Sequence, residues 1–220
     1  MLTSSEDASV RLWDLTSNEL LNPSNSLRGG NQFYTTVAMS PKGRWLATGR
    51  IDETNLWDLE SSDPRVRPVT LSNSTLSRRD PYDVAVMKLL QFSPDGRWLA
   101  TAGRFGIAVR IWDLHADDPA ASPSLLAPQQ NLQSNRRPCS AIAFSTDGRW
   151  LATAQADKTI RIWPLTDDGP EATSTSIHGL KGFATTIWFS PDCRWLIAGN
   201  DSAVHIWDLT AKGPSVSWRL

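Results

Sequence analysis

Apolar and polar residues alternate along this chain in short runs, and the runs return in a fixed order. TVAMS (36–40), AIAFS (141–145) and TIWFS (186–190) alternate with a period of two, the pattern of a half-buried β-strand. Each such run meets a tight-turn sequence: SPKG at 40–43, SPDG at 93–96, STDG at 145–148 and SPDC at 190–193. In the second of these, Pro94 presets φ, Asp95 can bond the backbone and Gly96 accepts a positive φ. RWLATA and its variants then return as a second strand. A short polar turn such as QADK (155–158) leads into a third, TIRIW, and a looser stretch such as EATSTSIHGL (171–180) supplies an outer fourth. Pro, Ser and Asp collect in the outer connections, as exposed loops require. No 3.6-residue periodicity persists, so the predicted class is all-β.

Nine of the eleven tryptophans mark the same repeat. One series follows an arginine: Trp45, Trp98, Trp150 and Trp195. The other closes a strand-like run: Trp13, Trp57, Trp112, Trp163 and Trp207. Within a repeat the two are 12, 14, 13 and 12 residues apart, whereas the gap to the next repeat runs 32, 41, 38 and 32. A rigid unit joined by variable loops produces this spacing.

Charge changes the picture little. Lys and Arg number 22 against 23 Asp and Glu, with 40% hydrophobic residues, an ordinary soluble balance with length enough for a sizeable core. The net charge of −1 supplies no general attraction for nucleic acid or an anionic membrane. No apolar run approaches the roughly 18 residues that span a bilayer. MLTSSEDASV lacks the basic and apolar regions of a signal peptide. Cys139 and Cys193 are too far apart for a metal-ligand motif, and His115, His178 and His205 form no cluster with them. Reduced thiols and a cytoplasmic location are expected. No phosphate loop, H-E-x-x-H or nucleophile elbow occurs, so no cofactor, metal or catalytic site is expected.

The terminal Trp-Asp pairs at 13–14, 57–58, 112–113 and 207–208, in register with the SPDG-type turns, resemble the WD-repeat β-propeller family. The resemblance covers essentially all 220 residues, and the RWLAT variant is similar to repeats of bacterial members that are often joined to other domains. It implies four-stranded blades: a partial one at 1–30 and complete ones at 31–72, 80–127, 136–180 and 182–220. It also implies a hydrogen-bonded set of His, Ser or Thr, Asp and Trp in each blade. Thr3, Asp7 and Trp13 match the last three, as do Thr153, Asp157 and Trp163, and Thr48, Asp52 and Trp57 with a shorter turn. Thr101 and Trp112 remain in the third repeat, with Gly106 in place of Asp. Asp201 and Trp207 remain in the last, with Ile197 in place of the hydroxyl. The Gly-His pair of the family is absent, and Gly179-Leu180 takes its place in the last repeat. Cys193 replaces a turn glycine, at a cost of about 1 kcal/mol if the positive φ is kept.

Alignment of Asp7 with Asp157 starts the chain inside a second strand, which predicts a segment of a larger, about seven-bladed propeller. A five-bladed ring with a defective first blade and two open arcs that pair are the competing readings. Exposed blade faces and edges favour self-association.

The function this implies is a non-catalytic scaffold or sensor that binds a protein or peptide. Its surface should lie in the turns between second and third strands and in the approaches to first strands. Arg50, Arg104 and Phe105 come from the turns, and Phe33, Tyr34, Tyr82, Arg136, Arg137, Lys181 and Phe183 from the approaches. Arginine and aromatic side chains are the types that anchor interfaces, and the cationic ones point to an acidic peptide. The alternatives are a nucleic-acid-binding propeller, resting on Arg78-Arg79 and Arg136-Arg137, and a regulatory segment of a larger bacterial signalling enzyme. Asp14, Asp58, Asp113 and Asp208 recur at equivalent places, so repetition rather than catalysis accounts for them.

Overall fold

A computed structural model describes residues 2–4, 9–13, 25–28, 36–49, 53–61, 68–72, 87–103, 109–121, 123–126, 139–171, 173–210 and 218–219. These form antiparallel sheets and no helix. The first sheet holds β1 (Leu2–Ser4), β2 (Ser9–Leu12) and β3 (Asn25–Arg28) in that order. The second holds β4 (Thr36–Met39), β5 (Trp45–Gly49), β6 (Glu53–Asp58) and β7 (Val69–Ser72). The third holds β8 (Met87–Phe92), β9 (Trp98–Gly103), β10 (Val109–Asp113) and β11 (Ser124–Leu126). In the fourth, β12 (Cys139–Phe144), β13 (Trp150–Gln155) and β14 (Ile160–Thr166) are followed by β15 (Gly169–Pro170) and β16 (Thr175–Ile177), both paired to β14. The fifth holds β17 (Thr186–Phe189), β18 (Trp195–Asn200), β19 (Ala203–Asp208) and β20 (Trp218–Arg219).

Each hairpin between first and second strands is built by the SPDG-type turn. Gly96 donates its N–H to the Ser93 carbonyl at 2.9 Å, with φ +79°. Ser93 Oγ accepts the Trp98 N–H at 2.8 Å and donates to Asp95, whose Oδ1 accepts the Arg97 N–H at 3.0 Å. Ser40, Ser145 and Ser190 accept the N–H of Trp45, Trp150 and Trp195 in the same way, each at 2.9 Å. Cys193 keeps the glycine conformation at φ +57°, where a side chain is strained.

Successive sheets stack face to face, with β4 beside β8, β8 beside β12 and β12 beside β17. The forward face of each sheet is small or branched, and the rear face of its successor is large. Ala47, Leu56 and Leu71 receive Phe92, Leu99 and Trp112. Ala100, Ala102 and Ile111 receive Phe144, Leu151 and Trp163. Ala143, Ala152 and Ile162 receive Phe189, Leu196 and Trp207, and Val10 of the first sheet meets Leu46 and Trp57. Each buried Leu or Phe contributes about 1.5–3 kcal/mol, which single sheets too thin to hold a core obtain only by stacking.

The third-strand tryptophans are also hydrogen-bonded. The indole N–H of Trp57 donates to Thr48 Oγ1 at 3.1 Å, Trp112 to Thr101 at 3.0 Å and Trp163 to Thr153 at 3.1 Å. The last sheet corrects the sequence alignment. Thr48, Thr101 and Thr153 stand opposite Asn55, Arg110 and Arg161, and the residue opposite the matching His205 is Ala198. Ala198, not Ile197, therefore replaces the hydroxyl; Ile197 lies one residue earlier, on the other face. There Trp207 stacks on His205, ring centroids 5.7 Å apart and planes 12° from parallel. Asp7, Asp52 and Gly106 lie outside the described residues, and Trp13 directly follows β2.

Candidate interaction surface

At one end of the sheets, the acids of the Trp-Asp pairs are engaged in structure. Asp58 Oδ2 accepts from Arg44 Nη2 at 3.0 Å, Asp113 from Arg97 at 3.1 Å and Asp208 from Arg194 at 2.9 Å. Each guanidinium lies over the following indole, 4.8, 4.6 and 4.7 Å from the centroids of Trp45, Trp98 and Trp195. Each aspartate also caps the next turn, accepting the N–H of Glu60, His115 or Thr210. The Thr210 hydroxyl and Arg194 hold the Asp208 carboxyl down at about 2. Pro164 replaces this aspartate in the fourth sheet, and Arg149 turns instead to Asp147 at 2.7 Å. Burial opposes ionisation of Asp147, but hydrogen bonds from Ser145 and Arg149 outweigh it and bring the carboxyl to about 2. Carboxylates held so low are poor general acids or bases near neutral pH.

The opposite end carries the turns between second and third strands and the approaches to first strands. In the β13–β14 turn, Asp157 accepts the Thr159 N–H at 3.0 Å, the Thr159 hydroxyl, and Arg161 Nη2 at 2.9 Å. Burial raises its pKa, yet these bonds and the Arg161 charge leave it below the ordinary value. Lys158 completes the turn at φ +65° with its side chain exposed. In the β18–β19 turn the capping role belongs to Asn200, whose Oδ1 accepts the N–H groups of Ser202 and Ala203, both at 2.9 Å. Asp201 sits exposed at its tip.

Residues 180–185, which lead into β17, are fastened from several sides. Leu180 and Ala184 are buried, Ser140 Oγ of the fourth sheet donates to the Ala184 carbonyl at 2.6 Å, and the Thr185 N–H donates to the Gly199 carbonyl at 2.9 Å. Gly182 lies so close to the β18–β19 turn that a Cβ there would come within 2.9 Å of Asn200 Nδ2. Between these anchors Lys181 is exposed and Phe183 is 55% exposed. Of the surface candidates read from sequence, these two fall in the described part. Arg50, Arg104, Phe105, Phe33, Tyr34, Tyr82, Arg136 and Arg137 lie outside it, as do Arg78 and Arg79. The structure adds Asn200 beside them; the one sequence sign of this contact was the glycine between Lys181 and Phe183.

Among the described residues, no three His, Cys, Asp or Glu side chains are grouped to hold a metal ion, and no helix is long and apolar enough to cross a membrane. Cys139 and Cys193 are free thiols, and burial pushes Cys139 up to about 12.

Repeated antiparallel sheets stacked rear face on forward face, with indole–threonine bonds inside and turn-bearing ends outside, define a blade-built β-propeller protein. Residues 81–113, 127–164 and 173–208 match the family "WD domain, G-beta repeat". The chain belongs to the WD-repeat family. It is 30% identical over 162 residues to the small ribosomal subunit protein RACK1 of Drosophila melanogaster, a match that covers 72% of this chain and 45% of that protein. It is 25% identical over 228 residues to the nuclear distribution protein PAC1 of Arthroderma otae, covering 96% and 47% respectively. Protein groucho of Drosophila melanogaster is 26% identical over 208 residues, covering 93% and 25%. The chain thus spans about half the length, or less, of these curated relatives.

Proposed function

We propose that this chain is a non-catalytic docking module that binds a protein or peptide at the end bearing Lys181, Phe183 and the β18–β19 turn. The observation that carries this reading is Phe183, an aromatic ring left in solvent on a loop that buried neighbours and backbone hydrogen bonds hold in place. Holding the anchor beforehand lowers the ordering cost of binding, and a central aromatic with a polar rim is the usual composition of an interface. Lys181, with Lys158 on the neighbouring turn, favours an acidic residue next to an apolar anchor in the partner. A relative named as a ribosomal-subunit protein supports service within an assembly. The free thiols Cys139 and Cys193 accord with a cytoplasmic location.

Quantitative affinity capture with the wild-type chain, Phe183→Ala and Lys181→Glu tests the proposal. The same proteins should be depleted from both variants' eluates by roughly tenfold or more, as expected for an anchor residue. Eluates indistinguishable from wild type, from variants that melt normally, would refute it.

A further inference from the structure

The peptide unit that joins Ala184 to Thr185, just past Phe183, is held by two sheets at once. Its N–H donates to the Gly199 carbonyl of the fifth sheet at 2.9 Å, and its carbonyl accepts from Ser140 Oγ of the fourth at 2.6 Å. A planar unit bonded at both ends has little freedom to turn, so the direction of the chain at Phe183 is fixed. On the other flank Gly182 lies against Asn200, whose turn also belongs to the fifth sheet. Leu180 and Ala184 are buried in the apolar cluster between the two sheets, a contact without direction. Ser140 supplies a directional bond from the fourth sheet.

A bulge gives Ser140 this reach. Cys139 pairs with Gln155 and Ala141 with Ala154, which leaves Ser140 as the extra residue on β12. Such a residue is re-aimed out of the regular pleat. Its hydroxyl carries one proton, and the 2.6 Å bond across the sheets is far shorter than the 3.3 Å approach to the Ala154 carbonyl of its own sheet. The bulge itself does not require serine. β8 has the same register shift between Met87 and Leu89, with Lys88 as the extra residue. Lys88, Ser140 and Thr185 each stand four residues before the phenylalanine that ends a first strand. Thr185 donates to the Gly199 carbonyl of its own sheet at 3.3 Å. The hydroxyl at position 140 is therefore accounted for by the loop it holds, not by the hairpin it sits in.

We infer that Ser140 is a positioning residue for the docking surface at Phe183, which makes that surface the joint product of the fourth and fifth sheets. The inference rests on the docking function proposed for Phe183. A partner that closes on Phe183 reads the junction between two sheets, so a change at that junction alters affinity without touching a contact residue. Loss of the Ser140 bond frees one end of the clamped peptide unit, and the loop must then be ordered again at the moment of binding.

A graded series in the full chain tests it: Ser140→Thr keeps the donor, Ser140→Cys weakens it and Ser140→Ala removes it. The probe is the set of proteins that Phe183→Ala removes from the wild-type eluate. Their capture should fall roughly three- to tenfold in Ser140→Ala, less in Ser140→Cys and not at all in Ser140→Thr, with circular dichroism unchanged. With 4-fluorophenylalanine in place of Phe183, the fluorine resonance should shift or broaden in the alanine variant and return to the wild-type line in the threonine variant. Phe183-dependent capture indifferent to Ser140→Ala, or a threonine variant as impaired as the alanine one, would overturn this inference and leave the docking reading standing. Capture indifferent to Phe183→Ala would overturn the docking reading, and this inference with it.

Discussion

A single hydroxyl decides whether each buried indole is satisfied. Trp57, Trp112 and Trp163 donate to Thr48, Thr101 and Thr153 inside the stack, where both partners of each bond are buried. Thr153→Val keeps the shape and removes the acceptor, so the N–H of Trp163 is buried unpaired. A loss of about 1–3 kcal/mol is expected, read as a lowered urea midpoint at unchanged slope. The threonine is legible in sequence because it stands three residues after a tryptophan in every RWLAT copy. The last copy, RWLIAG, has Ala198 at the same spacing from Trp195, and its pairing with His205 agrees, so this sheet lacks the hydroxyl altogether.

At the scale of the strand and turn, Asp58, Asp113 and Asp208, the aspartates of the described Trp-Asp pairs, each lock a hairpin. The second and third strands bring each against an arginine 14 to 16 residues earlier, which also covers an indole. Neither partner is adjacent in sequence, so the repeat announced the residues and not their pairing. Pro164 shows the device by exception. Without the aspartate β14 runs on to Thr166, pairs with β15, and carries Asp167 to within 3.3 Å of Arg97 in the preceding sheet. Arg97 thus ties Asp113 of its own sheet to the next one. Arg97→Ala should cost about 1 kcal/mol in chemical unfolding, the sum of a part-exposed ion pair and a cation–π contact. High salt should narrow the difference from wild type, since the ion pair is screened and the ring contact is less so.

Across the molecule, the depressed carboxylates act together. Asp58, Asp147, Asp157, Asp192 and Asp208 all lie below the ordinary value near 3.9, with Asp147 and Asp208 at about 2. A lowered pKa means that the unfolded chain binds protons first as pH falls. Their contribution is therefore whole at neutral pH, begins to fail at about pH 5 as the unfolded carboxylates start to protonate, and is gone once the pH is below the folded values. Thermal melts followed by circular dichroism should show Tm steady from neutral pH down to about 5 and then dropping steeply; a Tm unchanged at pH 3 would contradict the assignment. The order of strands, the alternation of their faces and the turns between them were readable from the residues alone, because period-two patterning and Ser-Pro-Asp-Gly chemistry act over a few neighbouring positions. Ala143 and Trp188 hold the same place in that pattern, yet one is buried and the other open to solvent. Burial depends on what stands opposite across a stack of sheets, and that contact is set by packing between residues distant in the chain.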